Sequence, residues 1–126
     1  MKALILFAHG ARDPRWAAPF ERLRDTIRSR QPNLRVELAF LEFMSPSLPQ
    51  IAVSMAADGI TDITLVPVFL GQGGHVLRDL PLLLEEIDQQ APALRIALQP
   101  AVGESESVVA AMADYCLAQT GNQQIR

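Results

Sequence analysis

Apolar residues follow two alternating patterns along the chain. Four short runs, rich in β-branched and aromatic residues, have the length and composition of strands. These runs are Ala3–Ala8, Arg35–Phe40, Ile63–Leu70 and Leu94–Leu98. After each run, apolar residues recur every three or four positions, as they do on one face of a helix. The order β-α-β-α-β-α-β-α predicts a parallel sheet with right-handed crossovers and helices on both faces.

Each predicted helix has an apolar stripe and boundary signals. The stripes are Trp16, Phe20, Leu23 and Ile27; Leu48, Ile51 and Met55; Leu80, Leu83, Leu84 and Ile87; and Val108, Val109, Met112 and Cys116. Residues suited to cap or start a helix stand before them, namely Asp13 with Pro14, Ser45 or Ser47, Asp79 with Pro81, and Ser105. We expect the stripes to be buried, with Cys116 as a small packing residue rather than a nucleophile.

The predicted fold class is therefore α/β, as a single three-layer α/β/α domain with a four-stranded parallel sheet, a flavodoxin-like half-unit. The 126 residues are enough for one compact domain and short for two. We assign residues 1–119 to this domain and residues 120–126 to a polar C-terminal tail. Four strands make a small sheet, so the protomer is expected to need a partner.

Charge and composition narrow the functional classes. The net charge of −3 gives no reason to expect nucleic acid as a partner. A single cysteine, Cys116, excludes an internal disulfide and a Cys-rich metal site, and fits a reducing cytoplasm. The apolar start of the chain is interrupted at His9, too early for a signal peptide, and no stretch reaches the roughly 20 apolar residues of a membrane span. We expect a cytoplasmic protein that binds no membrane.

The chain has two histidines, and both follow predicted strands. His9 follows the first strand, His75 follows the third after a glycine-rich turn, and Glu42 follows the second. Because the carboxyl ends of parallel strands meet at one edge of a sheet, these three side chains are expected to lie close together. Imidazoles with a carboxylate suit cobalt, nickel, iron or zinc, and also act as acid and base near neutral pH. Alternatively, each histidine satisfies backbone groups of its turn, and Glu42 caps a helix or pairs with an arginine.

Other residues near the two histidine loops are candidates to bind a substrate. Arg12, Arg15 and Arg78 flank the loops and suit the carboxylates of a ligand, although solvated surface charge explains each of them equally well. Gly73 and Gly74 lie at the start of the helix that follows the turn, where backbone N–H groups can meet a ligand. The turn lacks the Lys-Ser/Thr of a P-loop and the third glycine of Gly-x-Gly-x-x-Gly, so the phosphate signal is weak.

Three motifs occur in order along nearly the whole chain. They are Ala8-His9-Gly10-Ala11-Arg12-Asp13-Pro14; Phe40-Leu41-Glu42 with Pro46 and Leu48; and Val66-Pro67-Val68-Phe69-Leu70 through Gly74-His75-Val76 to Asp79-Leu80-Pro81. Together they resemble the motifs of the small CbiX chelatases, which belong with the SirB-like class II chelatases of the cobalamin and sirohaem pathways. One departure is Ala11, where that family usually has serine.

The resemblance implies an enzyme that inserts a divalent metal into a tetrapyrrole, typically cobalt into sirohydrochlorin, with nickel and iron as alternative metals. It implies no bound cofactor, since the metal is a substrate. It further implies that His9 and His75 hold the metal and help to remove pyrrole N–H protons, with Glu42 assisting. Finally, it implies a homodimer, because the larger chelatases carry two such domains in one chain.

Two other functions fit part of the pattern. Strand-His-Gly also opens the histidine phosphatases, but their motif is Arg-His-Gly and Ala8 occupies the arginine position here. A metal carrier, or a tetrapyrrole-binding protein without turnover, would use the same ligands and show no insertion. An FMN-binding flavodoxin is disfavoured, because no Ser/Thr-rich phosphate loop follows the first strand.

Overall fold

A computed structural model of the protein describes residues 1–71 and 73–121, apart from the side chains at positions 74, 75 and 77. The strands are β1 (Lys2–Ala8), β2 (Arg35–Phe40), β3 (Asp62–Pro67) and β4 (Arg95–Leu98). The α-helices are α1 (Ala18–Arg30), α2 (Leu48–Ala57), α3 (Gly74–Gln90) and α4 (Glu106–Thr120), with short 3₁₀ helices at Pro14–Ala17 and Val102–Glu104. The predicted tail, 120–126, falls mostly outside the described residues.

The four strands form one parallel sheet in the order β2-β1-β3-β4, which confirms the predicted sheet and places β2 at its edge. The register aligns the strand ends, because Ala8 pairs with Phe40 and Phe7 pairs with Pro67. The segments that leave β1, β2 and β3 therefore start from one edge of the sheet.

Two apolar clusters fill the layers on either side of the sheet. One joins α2 and α3 to the sheet face that carries Ile5, Phe7 and Leu65, all fully buried. The other joins α1 and the preceding 3₁₀ helix to the opposite face. This arrangement confirms the three-layer α/β/α fold. Val36, Leu38 and Phe40 share a buried face of β2.

The start of α2 follows the predicted capping chemistry. The Gln50 N–H donates to Ser47 Oγ at 3.3 Å, and the Ser47 N–H donates to Gln50 Oε1 at 2.9 Å. This reciprocal capping box satisfies two backbone donors that the first turn of a helix leaves unpaired. Of the two predicted capping serines, Ser47 therefore has this role.

Helix α3 starts just after the glycine-rich turn, as predicted, but the roles predicted for Asp79 and Pro81 were wrong. The helix begins at Gly74, with Gly73 as its N-cap residue, so Pro81 lies inside the helix and Asp79 does not cap it. A proline at this depth removes one backbone hydrogen bond of the helix. Both residues are common near helix starts, which explains why they were taken as start signals.

Helix α4 begins after Ser105, as predicted, but the expected burial of its apolar stripe was wrong. None of its side chains is buried, and neither apolar cluster contains a residue of α4 among the described residues. Cys116, expected in the core, is exposed. A smaller difference is that Leu23, expected on the buried stripe of α1, is exposed. Within the described part of the chain, no helix has the length and apolar character needed to cross a membrane.

Candidate functional site

His9 and Glu42 meet at the carboxyl edge of the sheet. The ring atom His9 Nε2 lies 2.9 Å from Glu42 Oε1, a hydrogen bond between residues that leave neighbouring strands. Backbone pairing continues beyond the strands to position them, because the Leu41 N–H donates to the Ala8 carbonyl at 2.9 Å and the Glu42 N–H to the His9 carbonyl at 3.0 Å. The structure thus brings together two of the three predicted site residues.

Gly10 makes this approach possible. Its backbone has φ +95°, a conformation that L side chains rarely adopt, and a Cβ at this position would overlap the carbonyl oxygen of Glu42. A larger residue at position 10 would therefore push the two loops apart. The glycine after His9 is a steric requirement of the His9–Glu42 contact.

An aromatic side chain forms one wall beside the imidazole. The buried Phe69 ring lies edge-on to the His9 ring, with 6.3 Å between their centroids. Phe69 also contacts Phe7 edge-on at 5.8 Å, which ties this wall to the core. The side chains of His9 and Glu42 remain 42% and 35% exposed. The pair is therefore held in place on one side and open to a ligand on the other.

Phe43 is a site residue that the sequence reasoning missed. It is 57% exposed beside Glu42, and its backbone has φ +67°, unusual for a bulky residue. The guanidinium carbon of Arg12 lies 4.9 Å from the centre of its ring, in a cation–π contact. Arg12 and Phe43 also line a depression of about 350 Å³. In the sequence, Phe43 is one of several apolar residues in its segment, so no local signal distinguished it.

The other predicted arginines contact neighbouring acids. Arg15 binds Asp13 through two guanidinium nitrogens, with the shorter Nη2–Oδ2 distance at 2.7 Å. The Arg15 hydrogen bonds lower the pKa of Asp13 below its usual value. Arg78 donates from Nε to Asp79 Oδ1 at 3.3 Å on α3. Arg12 instead contacts Phe43, the residue that follows Glu42.

The glycine-rich turn and His75 belong to the start of α3. Gly73 is exposed and has room around it, since no atom lies within 4 Å of a Cβ built there. The backbone of His75 lies in the first turn of α3. The structure describes only the backbone at Gly74 and His75, so the predicted role of the His75 side chain stays a prediction. Among the described residues, no group of three or more His, Cys, Asp or Glu side chains is placed to hold a metal ion.

The arrangement suits proton transfer and metal binding. The imidazole nitrogen and carboxylate oxygens offer ligand atoms of the kind that late first-row metals accept, with coordination positions left open. The same hydrogen-bonded pair can take up a proton from a ligand on its open side. A larger cleft of about 450 Å³ lies between the ends of α2 and α3, but no titratable side chain lines it. The chemistry of the described residues therefore lies at the His9–Glu42 edge.

Comparison with known proteins extends over nearly the whole chain. The model of the CbiX family matches residues 3–117. A sirohydrochlorin cobaltochelatase from Methanococcus aeolicus is 35% identical over 88 residues, which cover 70% of this chain and 62% of that protein. The match thus spans about three fifths of the length of this curated relative.

Solved structures agree with the fold. The crystal structure of a CbiX protein assigned to cobalamin (vitamin B12) biosynthesis in Marinobacter aquaeolei has a TM-score of 0.86 at 28% identity, covering 98% of this chain and all of that one. The sirohydrochlorin chelatase SirB from Bacillus subtilis, solved in complex with cobalt, has a TM-score of 0.77 at 23% identity. Its match covers 90% of this chain and 48% of the SirB chain.

Proposed function

Because the chain belongs to the CbiX family, we propose that it is a chelatase that inserts a divalent metal, with cobalt as the first candidate, into sirohydrochlorin. The observation that carries the proposal is the His9–Glu42 contact of 2.9 Å, half exposed at the edge of a parallel sheet. Relatives named sirohydrochlorin cobaltochelatase support the choice of metal and tetrapyrrole. The reaction would belong to cobalamin or sirohaem biosynthesis.

The stoichiometry of insertion defines what the residues must do. A divalent metal that enters a free-base tetrapyrrole replaces two pyrrole N–H protons, so both protons must leave. His9 and Glu42 form an acceptor pair for these protons, because a proton taken by the imidazole stays next to the carboxylate. The buried Phe69 wall limits the directions in which the ring can move.

The incoming metal is a substrate, and its ligands in this proposal are His9 and His75, with Glu42 as a further ligand or base. The proposed role of His75 rests on its position in the first turn of α3, after β3, the strand that pairs with β1. An imidazole and carboxylate donor set is compatible with cobalt, nickel and iron alike. Their relative rates are therefore part of the test.

The tetrapyrrole would bind over the open side of the pair. The exposed Phe43 ring offers an aromatic surface for a flat macrocycle, and Arg12 above it offers a cation for a substrate carboxylate. Arg15, Arg78, Gly73 and Gly74 complete the proposed substrate contacts further out. Arg15 and Arg78 would have to exchange an acidic neighbour for the substrate, so we expect Arg12 to contribute more.

We further propose that the chain acts as a homodimer in the cytoplasm. The SirB chain is about twice as long as the segment that this protein matches, so two copies would supply the equivalent of one SirB chain. The single cysteine supports a reducing compartment.

An anaerobic absorbance time course of sirohydrochlorin with cobalt(II), with and without protein, tests this function. Parallel reactions with nickel(II) and iron(II) rank the metals. We expect a protein-dependent shift to the metallated spectrum that continues through many turnovers. A spectrum that shifts on mixing and then progresses at the uncatalysed rate would replace the chelatase by a carrier. Turnover of a phosphate ester that His9→Ala abolishes would instead favour the histidine-phosphatase alternative.

A further inference from the structure

Two large apolar side chains stay exposed in loops that leave the carboxyl edge of the sheet. Phe43, in the loop after β2, is 57% exposed, and Leu70, in the loop after β3, is 69% exposed. Among the described residues, neither apolar cluster of the core includes Leu70. A single exposed leucine is ordinary on a protein surface, so only its position and its backbone can distinguish it.

The two side chains lie on either side of the strand that leads to His9. Strand β1 lies between β2 and β3 in the sheet, and the three strands end within one residue of each other in register. Neighbouring strands are about 4.8 Å apart, so β2 and β3 are about 10 Å apart. Phe43 and Leu70 each come three residues after the end of their strand. Leu70 is therefore the counterpart of Phe43 on the β3 side.

The backbone of Leu70 is held in place although its side chain is exposed. The Gly103 N–H donates to the Phe69 carbonyl at 3.0 Å, and a Cβ at Gly103 would overlap the carbonyl of Leu70. The turn that carries Gly103 is itself closed, because the Ala101 N–H donates to Glu104 Oε2 at 3.2 Å and the Glu104 N–H donates to the Ala101 carbonyl at 2.9 Å. A residue with a fixed backbone loses less conformational entropy when it contacts a ligand.

We propose that Leu70 is a further substrate-binding residue, which contacts the conjugated ring of the tetrapyrrole on the β3 side while Phe43 contacts it on the β2 side. This inference rests on the chelatase function proposed above and deepens it, because it identifies which part of the substrate each side recognises. A tetrapyrrole with its peripheral groups is wider than the span of about 10 Å between β2 and β3. Both side chains can therefore contact one molecule, whose centre then lies over the His9–Glu42 pair.

The surroundings of the two side chains suit different parts of such a substrate. On the β2 side, the Arg12 guanidinium lies 4.9 Å from the centre of the Phe43 ring and offers a cation to a peripheral carboxylate. On the β3 side, no atom lies within 4 Å of a Cβ built at Gly71 or at Gly73, so the space beside Leu70 is open. A flat apolar ring can approach Leu70 closely there. Burial of the leucine against the ring would then stabilise the complex.

A titration of metal-free sirohydrochlorin with the full-length protein, followed by tetrapyrrole absorbance or fluorescence, tests the proposal without any metal insertion. Leu70→Asn keeps the approximate size of the side chain and removes its apolar character, and we expect it to raise Kd by about tenfold. Leu70→Met keeps the apolar volume and should bind like the wild type. Because Leu70 is exposed, urea unfolding should show little change in stability for either variant.

The matched control is Leu82→Asn on α3, which makes the same exchange at a leucine of similar exposure, 62%, on another surface. It should leave Kd unchanged. In the insertion assay, Leu70→Asn should raise KM and leave kcat within about twofold, since the ring contact is present in the ground state and the transition state alike. A wild-type Kd in Leu70→Asn, a weak Kd in Leu70→Met, or an equal loss in Leu82→Asn would each overturn the proposal.

A double variant, Phe43→Ala with Leu70→Asn, tests whether both side chains contact one bound molecule. Separate contacts to the same ring contribute independently, so the double variant should lose about 100-fold in Kd if each single variant loses about tenfold. A double variant no weaker than Leu70→Asn alone would overturn the arrangement on two sides. A protein that inserts metal with no effect of Leu70→Asn would reject only this inference. A protein that binds the tetrapyrrole through Leu70 but inserts no metal would retain the inference and reject only the chelatase.

Discussion

At the carboxyl edge of the sheet, a glycine packs closely against a backbone carbonyl at two places, one on the β1–β2 side and one on the β3–β4 side. On the β1–β2 side, Gly10 passes directly beneath the carbonyl of Glu42. On the β3–β4 side, a Cβ at Gly103 would overlap the carbonyl of Leu70, and the Gly103 N–H donates to the Phe69 carbonyl at 3.0 Å. The first contact brings His9 and Glu42 together. The second fixes the turn that precedes α4. The same close packing thus positions two polar side chains at one end of the sheet and the start of a helix at the other.

The sharpest test of this comparison is His9→Ala, which removes the imidazole from the β1–β2 side. Loss of a positioned acid or base lowers a rate by about 10²–10⁴-fold, and we expect about 10³-fold for metal insertion. Glu42→Gln should lower the rate by about 10-fold to 100-fold, because the amide keeps the size of the side chain but not its charge. Glu86→Gln, on the exposed surface of α3, is the matched control and should not change the rate. If the His9→Ala protein inserted metal at the wild-type rate, the reacting residues would not lie on the β1–β2 side of the sheet.

Gly10→Ala tests the backbone contact itself. The added methyl group meets the Glu42 carbonyl in a conformation that alanine disfavours, so we expect a loss of about 3 kcal/mol in the free energy of unfolding. The control is Gly59→Ala, where φ is also positive, at +92°, but no atom lies within 4 Å of the added Cβ. It should cost about 1–2 kcal/mol, from the torsion alone. Urea unfolding of both variants measures the difference, and equal losses would show that the close approach contributes nothing.

Gly103→Ala repeats this test on the other side of the sheet. Its Cβ would overlap the Leu70 backbone, and we expect a loss of about 2 kcal/mol. The Gly103 backbone has no positive φ, so this loss comes from the overlap alone. Urea unfolding compares Gly103→Ala with the wild type, and a variant of unchanged stability would show that this close approach contributes nothing.

Phe43→Ala separates substrate binding from chemistry on the β1–β2 side. Loss of an exposed aromatic surface should raise KM for the tetrapyrrole by about tenfold and leave kcat within about twofold. Phe43→Tyr should restore the wild-type KM, since it retains the ring. Steady-state kinetics with varied sirohydrochlorin make the measurement. A fall in kcat at unchanged KM would mean that Phe43 positions the reacting pair instead.

The smallest effect is expected from Asp62→Asn at the start of β3. The Arg95 hydrogen bond, with a further one from Thr61, lowers the pKa of Asp62 below 3.8. The ionised carboxylate therefore stabilises the fold above the unfolded-state pKa, and this contribution is lost as the pH falls through the lower folded-state pKa. Wild type and variant should differ slightly in urea midpoint at about pH 6, and the difference should shrink as the pH falls into the acid range. Asp88→Asn on α3 is the control, and a difference that grows at low pH would contradict the sign.

The sequence predicted those features that depend on local period and strand order. Alternating strand and helix patterns identified the parallel sheet, and the strand ends placed His9 and Glu42 at one edge. Phe43 could not be found in this way. Its side chain is exposed and its backbone has a positive φ, and neither property can be read from the sequence of an apolar segment. Asp79 and Pro81 were misread because both residues are ordinary start signals, whereas the helix already begins at Gly74.

The error on α4 has a different origin. Apolar composition indicates that Val108, Met112 and Cys116 will be covered, but it does not say which chain covers them. A helical stripe has the same sequence pattern whether or not its own chain covers it. The structure separates the two cases, because it shows α4 exposed in the described chain.

The exposed faces of α4 also have a consequence for how the protein responds to dilution. If its apolar cover comes from a second chain, folding and assembly are linked by mass action, and the apparent stability depends on the amount of protein present. The unfolding temperature should then rise with protein concentration, and dilution should lower the fraction of chains in the dimer. The cellular concentration of the protein would thereby control the fraction of chains that are dimeric.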